Sequence, residues 1–220
     1  MKPFTLPTKI LRIIFHLLYQ PFAWSYDLIA AVVSGGQWKN WTQAPLGYLE
    51  GNSILELGIG PGHLQVKLAH KGFQTTGIDQ SPQMIRIAHR RMERQAPGKV
   101  NLIRAQAQNI PIKAQSFDSV VATFPSEYIA SRDTVREIFR ILNPSGLLVI
   151  LLAVRFKPGT WHNRQLDRLY QVTGQKYESP TQFLRLEQLY TEEGFITGSV
   201  WHPAHGCDLL IFTMRKGKFY

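Results

Sequence analysis

The stretch Ile54-Leu55-Glu56-Leu57-Gly58-Ile59-Gly60-Pro61-Gly62-His63-Leu64 decides the fold. An apolar run ends in an acid and alternating glycines, and a helix-forming segment, Leu64 to His70, follows. This reads as a buried strand, a tight turn and a helix whose N-terminus faces a ligand. Glycine suits such a turn because it lacks a Cβ, so backbone N–H groups can approach a ligand closely.

Spacing separates the ligand classes. A dinucleotide fingerprint places glycines at the first, third and sixth positions, but Gly58-x-Gly60-x-x ends on His63. That disfavours a nicotinamide-dependent oxidoreductase. The pattern here is Glu-x-Gly-x-Gly-x-Gly, carried by Glu56, Gly58, Gly60 and Gly62. It resembles motif I of the class I S-adenosylmethionine-dependent methyltransferases. A purely structural turn is the competing reading, so the rest of the chain has to arbitrate.

Further along, Phe73 to Asp79 is a short strand ending in an acid. Asp79 lies 19 residues beyond Gly60, a distance that brings the end of a second βαβ strand beside the ligand held by the first loop. A carboxylate there can accept both ribose hydroxyls of a nucleoside. Ser81 is a plausible N-cap and Pro82 the first helical residue of the next element. The resemblance implies that Gln80 and Met84 border the adenosine. It also places an acid that reads the adenine amino group where this chain has Gln106, after a strand at Val100 to Ala105. The amide keeps a carbonyl acceptor but loses the charge. Ala107 and Gln108 line the same edge.

Ser116 to Phe124 matches the family's fourth strand, with Asp118 read as structural. Phe124 leaves the strand's carboxyl end and would face the transferred methyl group. Glu127 and Tyr128 follow as candidate base or acceptor contacts; a solvated loop acid is the simpler reading of Glu127. Arg132 to Leu142 reads as a helix, Asn143 to Gly146 as a turn, and Leu147 to Val154 as a buried parallel strand. Helices are expected at Asn163 to Val172 and Thr181 to Glu193. Strands are expected at Phe195 to Trp201 and Asp208 to Arg215, joined by a loop from His202 to Cys207. His202 and His205 are read as loop histidines, and no metal site is expected. The matched order implies an α/β fold: a Rossmann-like, seven-stranded, mostly parallel sheet with helices on both faces and an antiparallel last strand.

Composition is compatible with this. At 220 residues and 44% hydrophobic content, the chain suits one α/β domain with a substantial core. The single cysteine, Cys207, excludes an intrachain disulfide and fits a reducing cytoplasm. A net charge of +10 favours anionic partners without choosing among them. Arg86, Arg90 and Arg94 share one helix face at i, i+4 and i+8. No nucleic-acid module accompanies them, and a solvated helix face is the preferred reading.

The apolar run Ile10 to Tyr19 is interrupted by Arg12 and His16 and falls short of the ~20 residues of a spanning helix. It is expected to pack on the domain or to lie on a membrane surface, which makes residues 1–20 a candidate peripheral contact. Tyr26-Asp27, ahead of Ser34-Gly35-Gly36 and Trp38, resembles the leading region of the quinone-biosynthesis methyltransferases. There, N-terminal helices lid the active site, which makes Tyr26 a candidate acceptor contact. Trp38 and Trp41 are read as core anchors. The expected organisation is a helical extension over 1–49 and a methyltransferase domain over 50–220, with an acceptor pocket completed by the segment from Arg155 to Pro180.

What the resemblance implies is methyl transfer from S-adenosyl-L-methionine to a small, lipophilic acceptor. Such an in-line displacement needs a base only if the acceptor must lose a proton. The alternative is a non-catalytic module of the same fold, docked on membrane or RNA. The neutral Gln106 and the basic surface motivate it.

Overall fold

The computed structural model describes residues 34–99, 101–157 and 180–217. Its centre is strand β1 (Ser53–Leu57), in which Ile54, Leu55 and Leu57 are at most 1% exposed. A strand apolar on both sides has to be covered on both sides. Successive residues accordingly enter different clusters. Ile54 packs with Leu64 and Leu68, whereas Leu55 and Leu57 pack with Ile138 and Ile141.

The elements around it are α1 (Trp38–Gln43), a 3₁₀ turn (Ala44–Tyr48), α2 (His63–His70), β2 (Gln74–Asp79), α3 (Pro82–Gln95) and β3 (Leu102–Arg104). There follow β4 (Phe117–Thr123), a second 3₁₀ turn (Glu127–Ala130), α4 (Arg132–Ile141) and β5 (Leu142–Phe156). The last are α5 (Pro180–Glu192), β6 (Phe195–Ala204) and β7 (Cys207–Lys216). The sheet order is β3-β2-β1-β4-β5-β7-β6. Strands β1 to β5 pair in parallel, and β7 inserts antiparallel between β5 and β6. This is the mostly parallel seven-stranded sheet with an antiparallel last strand that the motif order implies.

Helices α1, α2 and α3 lie on one face, where Trp41 meets Val149 and Ile211, and Val66 and Ala69 meet Met92 and Ala96. Helices α4 and α5 cover the other, against Ile150, Leu152 and Phe212. Trp41 is the core anchor expected, 1% exposed and edge-on to Phe156. No helix among the described residues is long and apolar enough to cross a membrane.

Several boundaries differ from the sequence reading. The turn expected at Asn143 to Gly146 lies inside β5 as a bulge: Phe117 pairs with Leu142, but Ser119 already pairs with Leu147. The turn residues are genuine, with Ser145 at φ 61°, yet extended pairing resumes on both sides. Asn143 Nδ2 pins the bulge by donating to Asp118 Oδ1 at 2.8 Å. The loop expected from His202 to Cys207 contracts to a tight hairpin closed by the Ala204–Cys207 pair, with Gly206 at φ 72°. His202 therefore belongs to a strand, its Nδ1 3.0 Å from the Tyr48 hydroxyl. Strand β3 is shorter than Val100 to Ala105. Residues 1–33, with Tyr26, and 158–179, with the helix expected at Asn163 to Val172, lie outside the described residues.

Candidate functional site

Parallel strands put the carboxyl ends of β1, β2, β3 and β4 along one edge, and the loops that leave them converge there. The loop after β1 is built by its glycines. Gly58, Gly60 and Gly62 have φ of 70°, 51° and 82°, a region that costs an L-residue roughly 1–2 kcal/mol. They serve different neighbours. A Cβ on Gly62 would come 2.9 Å from Ala88 Cβ, so this glycine lets α3 pack against the loop. A Cβ on Gly58 would come 2.8 Å from the Tyr128 hydroxyl. A Cβ on Gly60 would meet nothing within 4 Å.

The loop's amides are largely engaged within the fold. Gly58 and Ile59 N–H donate to Ile78 O at 2.8 and 3.2 Å, and Gly62 N–H donates to Ile59 O at 3.0 Å. Gly60 N–H donates to Asp79 Oδ2 at 2.9 Å, and Ser81 N–H donates to Asp79 Oδ1 at 2.8 Å. The glycines therefore offer a ligand close approach rather than a ring of free donors. The half-buried Asp79 bridges the loops after β1 and β2 while each oxygen keeps a lone pair for another donor. Burial pushes its pKa up, against the lowering effect of the Ser81 and Gly60 N–H groups. From the other side, an Arg91 Nη donates to the Pro61 carbonyl at 2.5 Å and ties the loop to α3.

Beneath the loop is Glu56, 2% exposed. Desolvation pushes its pKa up to about 8, opposed by a hydrogen bond from Gln65 and reinforced by the Asp79 charge. Its Oε2 makes no hydrogen bond. Gln65 is fully buried on α2; its Nε2 donates to Thr76 O at 3.2 Å, and its Oε1 accepts from Thr75 Oγ1 at 2.9 Å. Sequence reasoning missed Gln65 and Arg91. A polar residue between buried Leu64 and Val66 was a usable signal for the first; the second was hidden among neighbouring arginines.

The other singled-out residues fall into two groups. Gln80 and Gln106 are exposed at the rim, and Ala107 and Gln108 are half-buried beside them. Met84 is fully buried in the first turn of α3, where Ser81 Oγ accepts from its N–H at 3.3 Å, so it backs the site rather than opening onto it. Phe124 follows β4 with φ 46°, an uncommon conformation for a bulky residue. Its ring stacks on Trp38 at a centroid separation of 4.7 Å. Trp38, read as a core anchor, is half-buried at this rim. Tyr128 is half-buried, and its hydroxyl donates to Leu57 O at 3.3 Å; Glu127 beside it is exposed. Asp118 sits at the opposite edge. Its Oδ2 accepts from Asn52 and Ser53 N–H at 2.9 and 3.0 Å, bonds that hold its carboxyl below the usual range. Its role is structural.

This strand order, with a Glu-x-Gly-x-Gly-x-Gly turn after β1 and an acid closing β2, defines a class I methyltransferase fold. Within it, residues 54–146 match the methyltransferase domain family. A putative methyltransferase of Bacillus subtilis, YqeM, is 32% identical over 146 residues, covering 64% of this chain and 58% of that protein. The ubiquinone/menaquinone biosynthesis C-methyltransferase UbiE of Pseudomonas putida is 29% identical over 163 residues, covering 70% and 62%. The chain thus spans about three fifths of the length of these curated relatives. A putative S-adenosyl-L-methionine-dependent methyltransferase from Methanococcus maripaludis superposes with a TM-score of 0.68 at 18% identity, covering 92% of this chain and 95% of that one.

Proposed function

We propose that this chain is an S-adenosylmethionine-dependent methyltransferase of a small, lipophilic acceptor. The observation that carries the reading is Asp79, held at the mouth of the glycine loop by Gly60 and Ser81 with lone pairs left for a ribose diol. Two further features fit the cofactor. The space ahead of Gly60 is open, and the buried, unpartnered Glu56 Oε2 beneath the loop favours a cationic ligand.

When bound, the cofactor supplies a methyl carbon already activated by its sulfonium. The protein's own work is binding, alignment and exclusion of water. Asp79 takes the ribose hydroxyls; Gln80, Gln106, Ala107 and Gln108 border the adenine, with Met84 behind them. Gly58, Gly60 and Gly62 admit the amino-acid portion, and Glu56, protonated near neutrality in the free protein, would ionise beneath it as a cationic group binds. Phe124, braced by Trp38, forms an apolar wall beside the methyl group. Glu127, Tyr128 and Tyr26 are the candidates for the acceptor side. The aromatic rim and the likeness to an enzyme of ubiquinone and menaquinone biosynthesis support a lipophilic acceptor. The lone cysteine supports a cytoplasmic location.

Calorimetric titration with S-adenosylmethionine and S-adenosylhomocysteine, with NADH as control, tests the reading. Micromolar binding of the first two and none of NADH supports it. Absence of binding to either moves the non-catalytic module to first place.

A further inference from the structure

The chain's positive charge is unevenly paired. On the α4–α5 face three arginines are neutralised: Arg132 meets Glu192 and Glu193, Arg136 meets Glu193, and Arg140 meets Glu137. On the α2–α3 face four exposed cations are not. From His63 to Lys99 the sequence holds seven Lys and Arg (67, 71, 86, 90, 91, 94 and 99) against two acids, Asp79 and Glu93. Asp79 is engaged with the loop amides and Glu93 with His89. Lys67, Lys71, Arg90 and Arg94 are exposed and enter no ion pair among the described residues.

The two helices form one continuous surface. Val66 and Ala69 of α2 pack on Met92 and Ala96, and His70 Nε2 lies 2.6 Å from Gln95 O. Lys99 Nζ donates to Ala69 O at 2.9 Å. We infer that this α2–α3 face docks on an anionic lipid surface. Charge complementarity requires an anionic partner, and each Lys or Arg near such a membrane contributes about 1 kcal/mol. Nucleic acid fits less well. The only Phe, Tyr or Trp from His63 to Lys99 is the half-buried Phe73, so the face lacks the stacking platform on which bases are held. A second signal sits upstream in the sequence. The chain enters the described fold at Ser34, just before α1, and α1 packs against α2. The residues before it include the apolar run Ile10 to Tyr19 with Lys2, Lys9 and Arg12. An apolar segment plus a polybasic patch is the pairing that gives stable peripheral binding.

The test is co-sedimentation of the full chain with phosphatidylcholine vesicles containing 0 or ~30 mol% phosphatidylglycerol, at low and high salt. The variants are R90E/R94E and, as a control of equal charge change on the other face and an exposed loop, K113E/R185E; thermal melts verify folding of both. Binding should require the anionic lipid, weaken with salt, fall ~10-fold or more in R90E/R94E and fall less than ~2-fold in the control. Equal losses in both variants, unchanged binding in R90E/R94E, or no binding of the unmodified protein overturns the proposal. So does patch-dependent capture of single-stranded or duplex RNA without vesicle binding.

Discussion

The backbone N–H of Gly60 donates to Asp79 Oδ2 across 2.9 Å, joining the loop after β1 to the end of β2. One carboxylate thereby shapes the loop and, in the proposed function, holds the ribose. Asp79→Asn keeps the size of the side chain but removes the charge from two amide contacts, each worth roughly 1.5–3 kcal/mol. Affinity for S-adenosylhomocysteine should fall by about 10- to 100-fold by calorimetry. Undiminished binding would sink the assignment.

Glu56 makes stability depend on pH with an unusual sign. Its folded pKa, near 8, lies above its ordinary value of 4.5, so between these two the native state holds a proton that the unfolded chain has released. Stability from this group is complete below about pH 4.5 and lost as pH rises through about 8, each unit of the shift counting about 1.4 kcal/mol. Glu56→Gln abolishes this slope, so urea melts at pH 5 and pH 8 should differ less in the variant. An equal slope in both proteins would show that Glu56 ionises freely.

The succession of strands and helices was legible because periodicity, glycine spacing and the position of an acid after β2 are all local signals; the seven-stranded sheet came from the family resemblance. Asn143 to Gly146 was misread for the opposite reason. Its turn chemistry is real, but pairing of Leu142 with Phe117 and of Leu147 with Ser119 turns it into a bulge, and pairing is non-local. The same limit hid the floor of the site. Glu56 reads as a loop-edge acid, and only the packing of α2 shows Gln65 and Oε2 buried together beneath the loop. Trp38 reads as core and does pack on the Trp41 cluster; only its stack on Phe124, 86 positions away in the numbering, shows that it also reaches the rim.

Gly62 and Gly72 share a left-handed backbone, with φ of 82° and 88°, but not a neighbourhood. Alanine at position 72 meets open space, so only the backbone term applies, about 1–2 kcal/mol. At position 62 the new Cβ also lies 2.9 Å from Ala88 Cβ and 3.1 Å from Ala88 Cα, which adds an overpacking cost of roughly 1–3 kcal/mol. Gly62→Ala should therefore melt lower than Gly72→Ala. Equal melting temperatures would mean that α3 yields to the added methyl without cost.

Phe124 holds a φ of 46° at the carboxyl end of β4, and its N–H donates to Leu151 O at 2.7 Å. That hydrogen bond and the stack on Trp38 are what hold a bulky residue in a strained conformation. Aromatic pairs of this kind carry about 0.5–1.5 kcal/mol beyond the area they bury. A double-mutant cycle of Trp38→Ala and Phe124→Ala, read by urea unfolding, should give a coupling energy in that range. Each single variant should also weaken turnover of an apolar acceptor more than binding of S-adenosylhomocysteine, because the pair lines the methyl side of the proposed site. A coupling near zero, with cofactor affinity and turnover falling together, would mean that the stack supports the fold and takes no part in presenting the acceptor.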